Sequence, residues 1–202
     1  MTKRNNLKYT NLCFVIIPKT RCPVSWMKIW IKIIGVKCGK GLKCKGLFLL
    51  LKNREGVLSI GNKFRVNSSA FSSLIGVYQR TILVVRRNGN IKIGNNVGIT
   101  GATIHGSDIT IGDNVMVGAN TKIIDHDFHS VDYIERRTDV RNHEKTKPVC
   151  IGDYVFIGCN SIILKGTHIG NRCMVGAGSV VSGTFDDDCL IAGNPAKVIK
   201  KL

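Results

Sequence analysis

The chain has 202 residues, 44% of them hydrophobic, which suits one domain with a terminal appendage and excludes a disordered segment. Lys and Arg number 30 against 13 Asp and Glu, a formal charge of +17, so polyanions such as nucleic acid, anionic lipid or a phosphorylated ligand are favoured partners unless the charge serves solubility alone. Eight cysteines form no C-x-x-C pair and no compact zinc set, which excludes a zinc finger and fits free thiols in a reducing compartment.

The opening residues, MTKRNNLKYTNLCFVIIPKTRC, are basic, but the apolar run Leu12 to Ile17 ends at Pro18-Lys19 and is too short for a signal-peptide core. No uncharged stretch approaches about 18 residues, so no transmembrane span is expected and the expected location is the cytoplasm. Residues 1–35 read as an N-terminal amphipathic helical cap. In VSWMKIWIKIIG the spacing puts Trp26, Ile29, Trp30, Ile33 and Ile34 on one helical face, with Lys28 and Lys32 away from it. Such a helix either caps the open apolar end of the next structure, the reading adopted, or touches the inner face of a membrane peripherally.

Residues 36–192 carry a period of six. An aliphatic residue recurs at Ile93, Ile99, Ile111, Val117 and Ile123, and again at Ile151, Ile157, Ile163, Ile169, Val175 and Val181. Glycine follows it at Gly94, Gly112, Gly118, Gly152, Gly158, Gly170 and Gly176, and a small or branched residue sits four positions after it. Period six fits neither a helix nor an alternating strand. It fits a chain that turns a corner after each short strand, three strands to a coil: a parallel β-helix, and an all-β fold class. Upstream, Cys38 and Cys44 fall six apart in the same slot, and so do Ile60 and Val66. Cys173 falls on a small inward slot and His105 on the inward phase.

Two intervals break the period, so each must hold an excursion: Val66 to Ile93, and Ile123 to Ile151. The second begins with IIDHDFHSVDYIERR and implies an extruded loop at about 125–149. Its Asp125, His126, Asp127 and His129 suit a metal site, a catalytic base or a polar loop. After it, residues 193–202, within LIAGNPAKVIKKL, read as a basic C-terminal tail helix.

The hexapeptide blocks, the out-of-phase DHDFHSV loop and the closing AGNPAKVIK together resemble the hexapeptide-repeat acyltransferases, in the galactoside, maltose and polysaccharide O-acetyltransferase branch. That resemblance implies a left-handed β-helix, a homotrimer, and acetyl-CoA as co-substrate with no metal required. It implies a donor groove between neighbouring subunits and an acceptor that is a sugar hydroxyl of a surface polysaccharide or glycolipid, lipid-linked in one version. His129 matches the family's general base, Val131 a loop valine and Arg136 a loop arginine that contacts substrate; Ser130 stands where proline is usual. A neutral imidazole titrates near neutrality and can take a proton from a hydroxyl attacking a thioester. Asp125 or Asp127, or equally a backbone carbonyl, is a candidate to orient the imidazole, with Asp127 the one adopted, and Asp125 is a candidate substrate contact. Gly158, Cys159, Ala177 and Ser182 match donor-binding positions, and Lys197 and Lys200 replace two arginines that approach the nucleotide phosphates, keeping charge but losing bidentate geometry.

Three other readings are open. His105, His126 and His129 are a possible ligand set for a zinc enzyme resembling the γ-class carbonic anhydrases. Cys150 or Cys159 would be the nucleophile of an acyl-cysteine route, though neither has an identified base. A non-catalytic scaffold or nucleic-acid binder would use the basic charge, but only 6% of residues are aromatic and no nucleic-acid motif occurs, so nucleic acid is not expected as a partner.

Overall fold

The structure is a computed structural model that describes residues 24–70, 73, 75–137 and 145–202. Residues 1–23 of the expected cap and 138–144 of the expected loop therefore lie outside the described residues, and Cys13, Cys22 and His143 with them.

The six-residue period is realised as a triangular coil, the left-handed parallel β-helix. Each face is a parallel ladder in which a short strand pairs with its counterpart one coil away. The first face stacks Lys37–Cys38, Val57–Ile60, the second halves of Ile82–Ile93 and Thr103–Ile111, then Val149–Ile151, His168–Ile169 and Thr184–Phe185. The second stacks Lys43–Lys45, Arg65–Asn67, Gly98–Thr100, Met116–Val117, Phe156–Ile157, Met174–Val175 and Cys189–Gly193. The third stacks Leu49–Lys52, the first halves of the two long strands, Lys122–Ile124, Ile162–Ile163 and Val180–Val181. Interior knobs line up by coil, for example Ile99, Val117, Ile157 and Val175 down the second face, all buried. Each such side chain contributes about 1.5–3 kcal/mol relative to exposure.

The corner after the first face is fastened by a ladder of Asn and Asp side chains. Asn62 accepts the backbone N–H of Lys40 (2.9 Å), Asn95 that of Asn62 (2.9 Å), and Asp113 that of Asn95 (2.6 Å). Asp153 then accepts from Asp113 (2.7 Å), Asn171 from Asp153 (2.9 Å) and Asp187 from Asn171 (2.8 Å). The glycine before each of the first five rungs is required by close approach. A Cβ on Gly61, Gly94, Gly112, Gly152 or Gly170 would lie 2.3–2.7 Å from atoms of the next coil.

Both excursions occur where the period breaks. Residues 68–70, 73 and 75–81 leave the corner between the second and third faces and are tied back by Asn120 Nδ2 to the carbonyl of Gly76 (2.8 Å) and Gln79 Nε2 to that of Gly101 (3.0 Å). Residues 125–137 and 145–148 leave the corner after the third face. Cys173 fills its inward slot, and Cys38 and Cys44 pack partly buried against the core.

Three local expectations are corrected. Residue 105 is not inward. Ile104 takes the buried slot, in register with Leu83 and Ile123, so His105 sits on the alternate, outer side of the strand. The tail is not a helix: Ala196–Lys201 is a strand antiparallel to Cys189–Gly193, reached through Gly193 at φ 110°. Folding back lets the tail cover the last ladder edge of the second face, which a helix would leave unpaired.

The third correction concerns α1 (Val24–Ile33). It packs onto the core through Met27 and Ile31, which are buried, with Trp30 and Ile34 beside them. Trp26, Ile29 and Ile33 remain exposed. The C-terminal stop sets this rotation. Gly35 (φ 71°) donates to the carbonyl of Lys32 (3.1 Å) and Val36 to that of Ile31 (3.0 Å), a paired closure that turns the chain straight into the first strand.

Candidate active site

The extruded loop has an antiparallel neck. The Lys147 N–H donates to the carbonyl of Asp125 (2.9 Å) and the Asp127 N–H to that of Lys145 (3.3 Å), while His126 bridges Thr146. The neck is anchored by Asp125, which is 0% exposed. Its Oδ2 accepts the backbone N–H groups of Ser107 (2.6 Å) and Asp108 (2.5 Å), and its Oδ1 lies 2.9 Å from Nδ1 of His126. A Cβ on Gly106 would meet this carboxylate at 2.6 Å, so glycine is the residue that admits it. Burial pushes the Asp125 pKa up. The hydrogen bonds from His126, Asp108 and Ser107, with the attraction of His126, outweigh burial and hold it below the ordinary carboxylate value. Asp125 as a substrate contact is therefore overturned, because its oxygens are occupied and no ligand can reach them.

His126 is buried, packing against His105 (4.8 Å between centroids) and Phe128 (4.7 Å), and His105 stacks on Phe128 at 5.3 Å. The three-histidine zinc reading gains nothing from this geometry. His126 spends Nδ1 on Asp125, and among the described residues no group of three His, Cys, Asp or Glu side chains converges as a metal site.

Beyond the neck, Asp127 is ion-paired with Lys165, which rises from the same corner one coil on. The structure thus engages Asp127 with Lys165 and not with His129. Nothing in the sequence pattern marks Lys165, since the contact depends on where the neck leaves the coil. His129 is exposed, and among the described residues no hydrogen bond holds its ring. Arg136 braces the loop: its guanidinium donates to the carbonyls of Val131 (2.8 Å) and Ser130 (3.1 Å). Asp132 caps the short helix α2 (Tyr133–Arg137) by accepting from Ile134 (2.8 Å) and Glu135 (3.1 Å), which fixes the position of Arg136. His126, Asp127, His129, Ser130, Val131 and Arg136 line one open cavity of about 480 Å³, floored by Ile124 and Leu164.

A second cavity of about 400 Å³ runs along the corner between the second and third faces. Its floor is a column of small corner residues from successive coils: Thr100, Gly118 and Ala119, Gly158 and Cys159, Gly176 and Ala177. Backbone meets backbone beneath it, since a Cβ on Gly158 would lie 2.5 Å from the amide nitrogen of Ala177. Phe156 and Met174 form one wall, and Ser73 and Ile75 of the first excursion reach the other. A channel with a floor of small residues and apolar walls could hold a pantetheine-like arm lying parallel to the coil axis. Gly158, Cys159 and Ala177 are thus brought together along one cavity. Gly118 and Ala119 were missed, although they occupy the corresponding corner positions of the preceding coil. Ser182 instead sits past the third face, on the corner that bears the loop. Lys197 lies opposite Ala192, one coil below Gly176 and so at the axial end of the channel, and Lys200 lies opposite Leu190.

The two cavities share no lining residue and occupy different corners of the prism. Within one chain His129 and the channel therefore face separate sides.

Two hexapeptide family patterns match the chain: the bacterial transferase hexapeptide (six repeats) over residues 151–183 and the hexapeptide repeat of succinyl-transferase over residues 108–123. The chain is similar to WbbJ of Escherichia coli strain K12, named for O-acetyl transfer in lipopolysaccharide biosynthesis, at 31% identity over 153 residues, covering 73% of each chain. It is 32% identical over 118 residues to the galactoside O-acetyltransferase of the same organism, a match that spans 56% of this chain and about half, 55%, of the relative. Among solved structures, the fold resembles a hexapeptide-repeat acetyltransferase from Vibrio cholerae O1 biovar eltor complexed with acetyl coenzyme A. That likeness has a TM-score of 0.56 at 23% identity and covers 91% of this chain and 80% of the other.

Proposed function

Because the chain belongs to the hexapeptide-repeat acetyltransferases, we propose that it moves the acetyl group of acetyl-CoA to a sugar hydroxyl of a surface polysaccharide or glycolipid, with His129 as general base. The observation that carries the reading is the presence of both halves of such a site: an axial channel shaped for the donor arm, and an exposed histidine on a braced loop.

The separation of the two halves supports a homotrimer in which the loop of one subunit meets the channel of its neighbour. The loop is dressed for contact, since Phe128, Val131, Tyr133 and Ile134 are all exposed. The outer edge of the second face also carries exposed Met116 and Met174 in one ladder with Phe156 between them.

In the reaction, neutral His129 accepts the hydroxyl proton as the sugar oxygen bonds to the thioester carbonyl carbon. The carbon–sulfur bond then breaks, and the imidazolium returns its proton to the departing thiolate. Cys159 and Ala177 flank the donor arm, Lys197 lies near its nucleotide end, and a backbone N–H at the channel edge stabilises the oxyanion. Arg136 acts chiefly by holding the loop that presents His129. Release of free thiol from acetyl-CoA, measured against a panel of sugars, tests this. Activity with at least one sugar, abolished in His129→Ala, is expected; full activity in that variant overturns the assignment.

A further inference from the structure

We infer that the α1 end of the β-helix is a docking surface for an anionic lipid bilayer. The stripe that the fold leaves unburied, Trp26, Ile29 and Ile33, is 64%, 53% and 70% exposed. At spacings of three and four these residues share one side of the helix, while Met27 and Ile31 commit a different side to the core. Lys28 and Lys32, both exposed and four apart, border the stripe on the side away from the core. An aromatic and two aliphatic side chains edged by lysines are the pattern of a helix that lies in a bilayer interface, apolar side inward and cations at the headgroups.

Charge identifies the occupant. Residues 1–54 hold thirteen Lys and Arg and no Asp or Glu, whereas the remaining residues carry a net charge of only +4. In the described part, Lys37, Lys40, Lys43 and Lys45 of the first coil are exposed at the same end as α1. The Schellman-type closure at Gly35 leaves no linker between them, so helix and lysines form one rigid basic end. A second protein copy would bring the same charge against itself, which opposes self-association through this end and favours anionic headgroups. Thiol-channel chemistry does not require this surface, because both cavities lie on later coils.

The chain holds two tryptophans, Trp26 and Trp30, both in α1, so its intrinsic emission reports on this helix. The test uses the full chain carrying Trp30→Phe, with vesicles of neutral phosphatidylcholine alone or with about one third phosphatidylglycerol, read by co-sedimentation and emission. Expected are binding and a blue shift with anionic vesicles only, weakened by salt. Trp26→Ser/Ile29→Ser/Ile33→Ser and Lys28→Glu/Lys32→Glu, each shown folded by circular dichroism, should each lose about tenfold or more in vesicle affinity. Thiol release toward a soluble sugar should be unchanged in both. Three results overturn the proposal: no binding to anionic vesicles at low salt, binding unaltered in both variants, or a Trp26 emission already blue and unmoved by lipid. The last would mean that residues 1–23 or a second copy cover the stripe.

Discussion

Asp125 and His126, adjacent in the chain, are joined through their side chains at 2.9 Å, and the same carboxylate takes up the backbone N–H groups of Ser107 and Asp108 from the coil above. One buried anion thus fixes both the root of the loop and the ring that meets Phe128 edge-on, the residue next to His129. Replacing Asp125 by Ala leaves two backbone donors and one imidazole N–H without an acceptor, and should cost about 3 kcal/mol of unfolding free energy in urea denaturation.

The depressed pKa of Asp125 gives that stabilisation a pH signature. A carboxyl whose folded pKa lies below its unfolded value contributes in full above the unfolded value, about 3.9, and loses the contribution as pH falls through the folded value. The stability advantage of wild type over Asp125→Asn should therefore shrink as pH falls below about 4, where the carboxyl protonates. A difference that grew below about pH 4 would contradict the clamp.

His126 and His129 should separate cleanly. His129→Ala is expected to lower kcat by about a thousandfold with an unchanged melting temperature, since its ring is exposed and general-base loss costs 10²–10⁴. His126→Ala should instead lower the melting temperature, because it removes a buried ring and the donor to Asp125. Steady-state thiol release beside thermal unfolding distinguishes them.

The channel makes a different division. Ala177 is exposed at a corner, so Ala177→Leu fills the channel without disturbing the coil, and the KM for acetyl-CoA should rise about tenfold while the KM for the sugar stays fixed. Gly158→Ala directs a methyl group at the amide of Ala177, 2.5 Å away, and should destabilise the fold itself by roughly 2 kcal/mol. Both follow from one column of residues that mixes stacking and binding roles.

What the sequence made legible is what repeats. Period six is written into Ile151, Ile157, Ile163 and Ile169 because each coil meets a copy of itself, so local pattern and long-range packing coincide. The loop boundaries followed from the broken phase, whereas Gly158, Cys159 and Ala177 came from the family resemblance and not from the period. Features set by a single non-repeating contact were not legible. The burial of Asp125, expected as a substrate contact, was not legible because its partners, Ser107 and Asp108, come from a coil that only the register brings alongside. The buried side of α1 depended on the turn at Gly35, since seven of the ten residues in VSWMKIWIKI are apolar and leave several arcs able to pack. AKVIKK turned out to be a strand because an unpaired ladder edge was waiting for it.

The first corner offers a prediction whose sign can be reversed by choice of residue. Among the described residues seven coils turn there through a residue at positive φ, Gly41 in the first and then Lys63, Asn96, Asn114, Tyr154, Arg172 and Asp188. Side chains that bond locally tolerate this conformation, whereas a bulky ring gains nothing from it. Tyr154, at φ 58°, is 63% exposed, so little packing is lost with its ring. Its backbone N–H bond to the carbonyl of Asp113 survives any substitution except proline. Asn96 already donates to Asn114 at 2.8 Å, so asparagine at 154 would place one more amide next in that row. Tyr154→Asn should therefore stabilise the protein by about 0.5–1 kcal/mol, and Tyr154→Val, β-branched in a left-handed turn, should destabilise it by about 1 kcal/mol. Urea midpoints at constant m-value measure both; a stabilising valine would show that the corner carries no strain.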